Sequence, residues 1–404
     1  IADAFLTHNR RIVGRCDDSV VIAGHRPCFV RRARGFTPRA IRLTDTSPTV
    51  LAVGAFLKNT VCVTRGNEAF VSQHIGDLDD RNTLAFQEES IEWLCRMLEV
   101  NPALVVHDLH PDMPSTQLAI EIASKKSIPT LAVQHHHAHV AAVVAEHHWC
   151  EPVLGVSLDG IGYGTDGGSW GGELLVVDGT TMRRIGSLAP LPLPGGDRAA
   201  REPWRMAAAV LHRLGRGNEI AERFANHAAS LYMVQLLDRG IHAPLTSSMG
   251  RVFDAAAALL GVCERSDYEA EAAMRLEAQA RRARVDSVPE LYRLEADGVL
   301  DLMPLLARLA DGYPNVPEGA ALFHAVVSAA VAEWTIEAAA RERLSTVALS
   351  GGCFLNQLLQ TQVAVLLAKA GLRVLKPEAL PPNDGAISLG QAWVGQRAML
   401  ARSI

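Results

Sequence analysis

Four histidines within five residues are the part of this sequence best suited to bind a metal ion. His135, His136, His137 and His139 directly follow TLAV, an apolar run that predicts a buried strand. His135 and His139 are four residues apart, so at the start of a helix both imidazoles project from one face and can contact a single ion. A surface helix with solvated histidines is the competing interpretation. The position after a strand end favours a site, because sites in α/β folds form there.

A glycine-rich segment, SLDGIGYGTDGGSWGGE, contains the end of the next predicted strand. Its backbone can bend tightly and present N–H groups to an anion, so we expect phosphate binding, although a flexible hairpin would have the same composition. It is not the GxGxxG-then-helix arrangement of a Rossmann site, and the chain has no P-loop motif. Asp159, at the strand end, is placed to contact a metal or a metal-bound water. The candidate phosphate-binding glycines are Gly160, Gly162, Gly164, Gly167 and Gly168.

A second glycine pair lies in VALSGGCFLN, between a predicted strand and a predicted helix. Gly351 and Gly352 can form a cradle for a phosphate or nucleoside, with Asn356 one turn further along. A plain strand-to-helix turn would look the same. Cys353 gains some thiolate stabilisation at a helix start, but no His or Asn motif marks it as a nucleophile.

Three aspartates complete the set of candidate residues. Asp384 in LPPNDGAISLGQA precedes a predicted helix, and its simplest role is an N-cap. A carboxylate with two imidazoles is nevertheless a common ligand set for a metal that keeps positions open for substrate. Asp197 in PGGD and Asp254 in GRVFDAAAALLG can each contact a ribose or phosphate, or each can belong to a turn or helix cap.

The elements that must position these residues fall into two similar units. In each, three strand-like runs precede alternating helices and strands, as in VLAVGAF, TVCVTRG and EAFVSQHI of the first. The pattern predicts an α/β fold of two related lobes, 45–150 and 151–404, with a helical insertion in the second at about 200–312. Residues 1–44 are too few to bury a core and are predicted to end another domain. The polar segment 42–49 is predicted to be a linker.

Composition excludes several classes of protein. Lys and Arg total 39 against 44 Asp and Glu, a formal charge of −5, which gives no support to a nucleic-acid-binding surface. The seven cysteines form no Cys-x-x-Cys pair, so a zinc ribbon or disulfide framework is not expected. We expect no apolar run to approach the ~18 to 20 residues of a membrane span, and the N-terminus lacks the features of a signal peptide. We therefore expect a cytosolic protein without a membrane partner.

Seven motifs resemble, in order and over essentially the whole chain, those of the HypF family of carbamoyltransferases that act in NiFe-hydrogenase maturation. They are HHHAH, LDGIGYGTDGGSWGGE, LPGGD, SSMGRVFDA, YEAEAAMRLE, LSGGCFLNQLL and PPNDGAISLGQ. The resemblance implies two RNase H-like lobes of the actin/hexokinase/Hsp70 (ASKHA) superfamily with nucleotide in the cleft, similar to the tRNA threonylcarbamoyl-transferring family. It also implies that residues 1–44 are the end of a YrdC-like domain.

The activity implied by this resemblance is ATP-dependent. Carbamoyl phosphate and ATP give carbamoyl-adenylate, and the carbamoyl group passes to the C-terminal cysteine of the partner HypE for cyanide ligand synthesis. The implied cofactors are ATP or carbamoyl-adenylate and a divalent metal such as Fe, Zn or Mg. The implied metal ligands are His135, His139 and Asp384, with Asp159 beside them. The implied adenylate-binding residues are Gly160 to Gly168, Gly351, Gly352, Asp197, Asp254 and Asn356.

Departures from the family pattern leave other functions open. The family's N-terminal acylphosphatase domain, its zinc modules and most of its YrdC-like domain are missing from this sequence, which starts at Ile1. We therefore expect the chain alone to bind nucleotide and metal but not to make carbamoyl-adenylate. The alternatives are an O-carbamoyltransferase of a small metabolite, a tRNA threonylcarbamoyl transferase and a non-catalytic nucleotide-binding protein of the same superfamily. The net charge argues against the tRNA enzyme, and a non-catalytic protein has no need of a His/His/Asp set.

Overall fold

The structure is a computed structural model that describes residues 3–10, 12, 14–23, 27–313 and 315–401. The strands are β1 (Val20–Ile22), β2 (Cys28–Arg31), β3 (Ile41–Ser47), β4 (Val50–Ala52), β5 (Cys62–Val71), β6 (Leu104–Asp108), β7 (Thr130–Val133), β8 (Val153–Tyr163), β9 (Ser169–Asp178), β10 (Thr181–Leu188), β11 (Leu191–Pro192), β12 (Leu245–Thr246), β13 (Arg293–Leu294), β14 (Val299–Asp301), β15 (Thr346–Ser350) and β16 (Arg373–Leu375). The α-helices are α1 (Arg81–Leu98), α2 (Pro114–Lys126), α3 (His135–Glu146), α4 (Arg198–Arg201), α5 (Trp204–Arg213), α6 (Ile220–Arg223), α7 (Met233–Asp238), α8 (Met249–Leu259), α9 (Glu271–Ala280), α10 (Met303–Ala310), α11 (Val316–Glu342), α12 (Gln357–Lys369) and α13 (Ile387–Ala401).

The first lobe is built on a five-stranded sheet in the order β3-β5-β4-β6-β7. Strand β5 pairs antiparallel with β4, whereas β6 and β7 run parallel to β4. Strand β5 doubles back near Gly66, since the Ser72 N–H donates to the Val61 carbonyl across the resulting hairpin. Three antiparallel segments followed by two parallel strands form the predicted meander and α/β unit.

The predicted linker at 42–49 is wrong. Strand β3 occupies Ile41–Ser47 and pairs antiparallel with β5 at the edge of the sheet. The side chains of Ile41 and Leu43 are buried while Arg42 and Thr44 are exposed, so the segment has the alternation of a half-buried strand. The division of the chain at residue 44 stays a prediction, and part of segment 1–44 lies outside the described residues.

The second lobe repeats the pattern on a larger, nine-stranded sheet with the main order β13-β14-β10-β9-β8-β15-β16. Strands β8, β9 and β10 form an antiparallel meander, and β15 lies parallel to both β8 and β16. The predicted α/β fold of two related lobes is confirmed. The predicted insertion is largely helical, with α5 to α10 inside it, but its short strands β13 and β14 extend the sheet at one edge.

Helix α11 is the core helix of the second lobe. It is long and apolar enough to cross a membrane by length and composition, with a mean hydropathy of 1.4 in its qualifying window, and 78% of that window is buried inside the protein. The expectation that no run approaches the length of a membrane span is therefore corrected. A helix that is apolar on all sides is also what a large protein core requires.

Helices α3 and α13 join the two lobes. Both helices contribute to one apolar core, which also takes side chains from the first sheet, such as Val106, and from the second, such as Ala348. The two helices touch through their backbones, because a Cβ placed on Gly390 of α13 would lie 1.8 Å from the carbonyl oxygen of Ala138 in α3. This contact brings the histidines at the start of α3 close to the start of α13.

Candidate metal and nucleotide site

Four predicted metal-ligand residues come from three parts of the fold and meet between the lobes. His135 and His139 lie on the first turns of α3, whose N-terminus is capped by the Gln134 side chain accepting the His137 N–H. Asp159 lies on β8, and Asp384 begins a short 3-10 turn that leads into α13. The two imidazoles are fully buried, Asp159 is buried and Asp384 is partly exposed.

The ligand atoms of these residues lie within 4.8 Å of one another. His139 Nε2 is 3.2 Å from Asp159 Oδ2 and 3.5 Å from Asp384 Oδ1. His135 Nε2 is 3.4 Å and 3.7 Å from the same two oxygens, and it is a buried nitrogen without a hydrogen-bond partner among the described residues. Ligands about 2.1 Å from a tetrahedral ion lie about 3.4 Å apart. The four His–Asp distances of 3.2 to 3.7 Å are close to this spacing, so the cluster fits the ligand set of a metal ion.

Asp108, which the sequence analysis did not select, orients His135. Its Oδ2 lies 2.8 Å from His135 Nδ1, so the imidazole donates its Nδ1 proton to the carboxylate and, in its neutral form, has its lone pair on Nε2. Carboxylates in this position fix the tautomer of metal-binding histidines. The sequence signal that could have identified Asp108 is its position at the end of the predicted strand ALVVHD. In the structure Asp108 ends β6 and pairs with Val133 at the end of β7, beside the start of α3.

The charges in the cluster depend on one another. Burial disfavours the charged form of His135, but the carboxylates of Asp384 and Asp108 outweigh it and hold its pKa well above the usual value. For His139 the Asp159 carboxylate similarly overcomes burial and raises the pKa. The nearby imidazoles overcome burial to lower the pKa of both carboxyls, Asp159 and Asp384. A site with two carboxylates this close requires protons or a metal cation to balance it.

The other histidines of the motif have different roles. Burial, with the neighbouring His135, lowers the pKa of His136 well below its usual value, and burial lowers that of His137 to about 4. His137 Nε2 donates to the carbonyl of Gly179 at 3.2 Å. His147 is the C-cap of α3, and its ring donates to the Lys376 carbonyl at 2.7 Å.

The predicted phosphate-binding glycines lie beside the cluster in two segments. Gly160 and Gly162 belong to β8, and a tight turn containing Gly164, Gly167 and Gly168 connects it to β9, closed by a 2.8 Å bond from the Gly164 N–H to the Gly168 carbonyl. A Cβ on Gly162 would lie 2.8 Å from Cδ2 of His135, so this part of the strand borders the imidazoles.

The Gly351-Gly352 turn is tied directly to Asp159. The Gly352 N–H donates to Asp159 Oδ1 at 2.9 Å, which leaves Oδ2 facing the imidazoles. Gly351 has φ +96°, and a Cβ there would lie 2.3 Å from the Leu158 carbonyl oxygen. Only glycine fits this position, because both the backbone conformation and the space exclude a side chain.

The remaining predicted nucleotide contacts differ in their surroundings. Asp254 is buried on α8 and paired with Arg251 at 2.7 Å, and burial raises its pKa to about 6. Asn356 caps α12 by accepting the Leu359 N–H at 3.0 Å, and its amide nitrogen contacts His324. Asp197 is exposed at the start of α4 and does not cap it. The contacts of Asn356 in the structure are thus the helix cap and His324.

An ion pair that the sequence analysis missed crosses from the first lobe to the insertion. Lys58, in the loop before β5, pairs with Glu269 ahead of α9. Burial opposes the charge of Lys58, but the carboxylates of Glu269 and then Asp384 raise its pKa. Nothing in the local sequence around Lys58 indicates a partner 211 positions away.

Comparison with known protein families gives two matches that together span most of the chain. Residues 155–391 match the profile described as "Carbamoyltransferase, Kae1-like Domain, second subdomain", and residues 45–146 match "HypF Kae1-like domain". All four residues of the metal cluster lie inside these two matches.

Several curated proteins are similar over the full length of the chain. Carbamoyltransferase HypF2 of Cupriavidus necator is 50% identical over 98% of this chain and 53% of its own length, and carbamoyltransferase HypF of Rhizobium leguminosarum is 47% identical over 99% and 52%. The chain thus spans about half the length of these relatives. A carbamoyltransferase HypF homolog of Cupriavidus necator is 47% identical over 88% of this chain and 93% of its own length.

Solved structures agree with these similarities. A structure described as full-length HypF in the phosphate- and nucleotide-bound form has a TM-score of 0.90 and 36% identity, and covers 98% of this chain and 63% of that one. T. kodakarensis HypF has a TM-score of 0.86 and 32% identity, and covers 96% and 53%.

Proposed function

Because the chain belongs to the HypF family of carbamoyltransferases, we propose that it carries the carbamoyl-transfer site of NiFe-hydrogenase maturation. The donor is carbamoyl-adenylate, formed from carbamoyl phosphate and ATP with release of phosphate and pyrophosphate, and AMP leaves only when the carbamoyl group is transferred. The acceptor is the C-terminal cysteine of HypE, and the reaction takes place in the cytosol. The observation that carries the proposal is the buried cluster of His135, His139, Asp159 and Asp384 inside the family match.

We assign the formation of carbamoyl-adenylate to the whole protein, since the chain spans about half the length of HypF2 and of the Rhizobium relative. The phosphate- and nucleotide-bound form of the 36% identical relative supports a nucleotide as ligand of the fold. The part proposed for this chain is the transfer itself, in which the acceptor sulfur forms a bond to the carbamoyl carbon and the bond from that carbon to the AMP oxygen breaks.

His135, His139, Asp159 and Asp384 would hold the metal. Two imidazoles with two carboxylates suit Fe or Zn better than Mg, which prefers oxygen ligands alone. When bound, the metal would orient the mixed anhydride and stabilise the negative charge that develops on the carbonyl oxygen. Asp108 keeps the Nε2 lone pair of His135 directed into the cluster, and the Gly352 N–H fixes the second oxygen of Asp159.

The adenylate would lie along the glycine segments next to this cluster. The Gly351-Gly352 turn and the turn from Gly160 to Gly168 would border its phosphate with backbone that carries no side chains, since the Gly351 and Gly352 N–H groups are themselves bonded to the Pro382 carbonyl and to Asp159. Asp254 is the buried carboxylate proposed for a ribose contact, with Asp197 at the entrance. Asn356 would act by holding the start of α12, and therefore the turn that precedes it, in place.

Transfer from synthetic carbamoyl-adenylate tests the proposal directly. We expect the chain with added metal to place one carbamoyl group on HypE, measured by mass spectrometry of the C-terminal peptide. Asp384→Asn removes one carboxylate charge from the ligand set and should slow transfer by at least about 100-fold.

The control acceptor is HypE with serine in place of its C-terminal cysteine, which should remain unmodified. The proposal is overturned if the chain transfers no carbamoyl group to intact HypE, or if Asp384→Asn transfers it as fast as the unaltered chain.

A further inference from the structure

The far end of helix α3 is attached to the loop that delivers Asp384. Glu146, the last residue of α3, is partly buried and its carboxylate accepts three backbone N–H groups from that loop. The N–H groups of Glu378 and Ala379 lie 2.7 Å and 3.0 Å from Oε2, and that of Leu380 lies 2.9 Å from Oε1. The adjacent His147 ring donates to the carbonyl of Lys376 at 2.7 Å.

The stretch between this attachment and the metal cluster is short. Leu380 and Asp384 are separated by Pro381, Pro382 and Asn383, and an extended, proline-rich segment of four steps spans about 12 to 14 Å. Along α3, Glu146 is about 10 Å from His139 and about 16 Å from His135. The segment runs back toward the start of the helix, with bends at Pro382 and Asn383, and ends with Asp384 next to both imidazoles.

One further contact aligns this stretch with the glycine turn. The Gly351 N–H donates to the Pro382 carbonyl at 3.1 Å, so the loop is held in its middle as well as at its start. Helix α3 thus supplies two candidate ligands from its first turns and fixes, through Glu146, the loop that supplies a third.

We propose that Glu146 is a positioning residue of the metal centre, setting where Asp384 lies relative to His135 and His139. The inference rests on the metal site of the proposed function. It assigns no chemistry to Glu146, which acts only through the loop and lies about 10 Å along the helix from His139 and about 16 Å from His135.

Titration of the chain with Co²⁺ tests the inference, because its visible absorption reports both affinity and ligand set. Glu146→Gln places an amide donor against backbone N–H groups, and we expect it to weaken Co²⁺ binding by about 10-fold or more and to change the absorption bands. His147→Ala, which removes the second attachment, should weaken binding by about 3-fold.

Asp301→Asn is the matched control, since Asp301 is also a partly buried carboxylate that accepts a backbone N–H, from Met303, but lies near the far edge of the second sheet. Its Co²⁺ affinity should stay within about 2-fold of the unaltered chain. The inference is overturned if Glu146→Gln binds Co²⁺ as the unaltered chain does, or if Asp301→Asn weakens binding equally. If Glu146→Gln does not fold, His147→Ala is the test, and the inference is overturned if this variant binds Co²⁺ as the unaltered chain does. An unaltered chain that binds no Co²⁺ would instead overturn the metal site itself.

Discussion

Replacement of both His135 and His139 by alanine is expected to abolish metal binding, raising the apparent Kd for Co²⁺ by more than about 100-fold. The variant loses the two nitrogen ligands and leaves Asp159 and Asp384 facing each other without the two imidazoles. Carboxyl groups in that position hold protons instead of a metal. The measurement is metal content after dialysis, with Co²⁺ titration for affinity.

His137→Ala is the matched control for the histidine pair. His137 is buried in the same helix turn but bonds to the Gly179 carbonyl, away from the ligand atoms. This variant should keep metal content close to that of the unaltered chain, even if it loses stability. Equal metal content in the double variant and in the unaltered chain would refute the ligand assignment.

Gly390→Ala is expected to have the largest effect on stability, at least about 3 kcal/mol, although alanine is intrinsically the better helix former. The added Cβ would lie 1.8 Å from the Ala138 carbonyl oxygen, a backbone atom that cannot rotate away. Helices α3 and α13 must therefore separate, and the imidazoles on α3 move away from Asp384 at the start of α13. Urea unfolding measures the first effect and Co²⁺ affinity the second.

Gly395→Ala on the same helix provides the comparison. Its Cβ would meet side-chain methyl groups, with Val106 Cγ2 at 2.6 Å and Val50 Cγ1 at 3.0 Å. Those side chains can shift, so the loss of stability should be smaller and metal binding should be retained. If the two variants are equally stable and bind metal equally, the close crossing of α3 and α13 does not position the site.

The sequence was sufficient to select the cluster because each member has a local signal. Two histidines lie four apart after a strand, Asp159 ends a strand next to glycines, and Asp384 precedes a helix. Asp108 also ends a predicted strand, but its contact with His135 depends on β6 and β7 being parallel neighbours, which its local sequence does not show. Glu146 was hidden for a similar reason, because its partners lie 232 to 234 positions away in the chain.

Two errors in the fold also have physical causes. The segment 42–49 is polar enough for a linker, but alternate residues of β3 face the core, and alternation over so few residues is easily missed. The expectation about membrane spans failed at helix α11, because glutamates interrupt its run of apolar residues. The structure buries most of the helix.

The most direct test of the central claim is anomalous diffraction from crystals of the chain grown with Co²⁺ and AMP. The account predicts one strong anomalous peak within about 2.0 to 2.3 Å of His135 Nε2, His139 Nε2 and oxygens of Asp159 and Asp384, with AMP phosphate density beside the Gly351-Gly352 turn. A peak bound by other residues, or its absence from crystals in which AMP is bound, would contradict it.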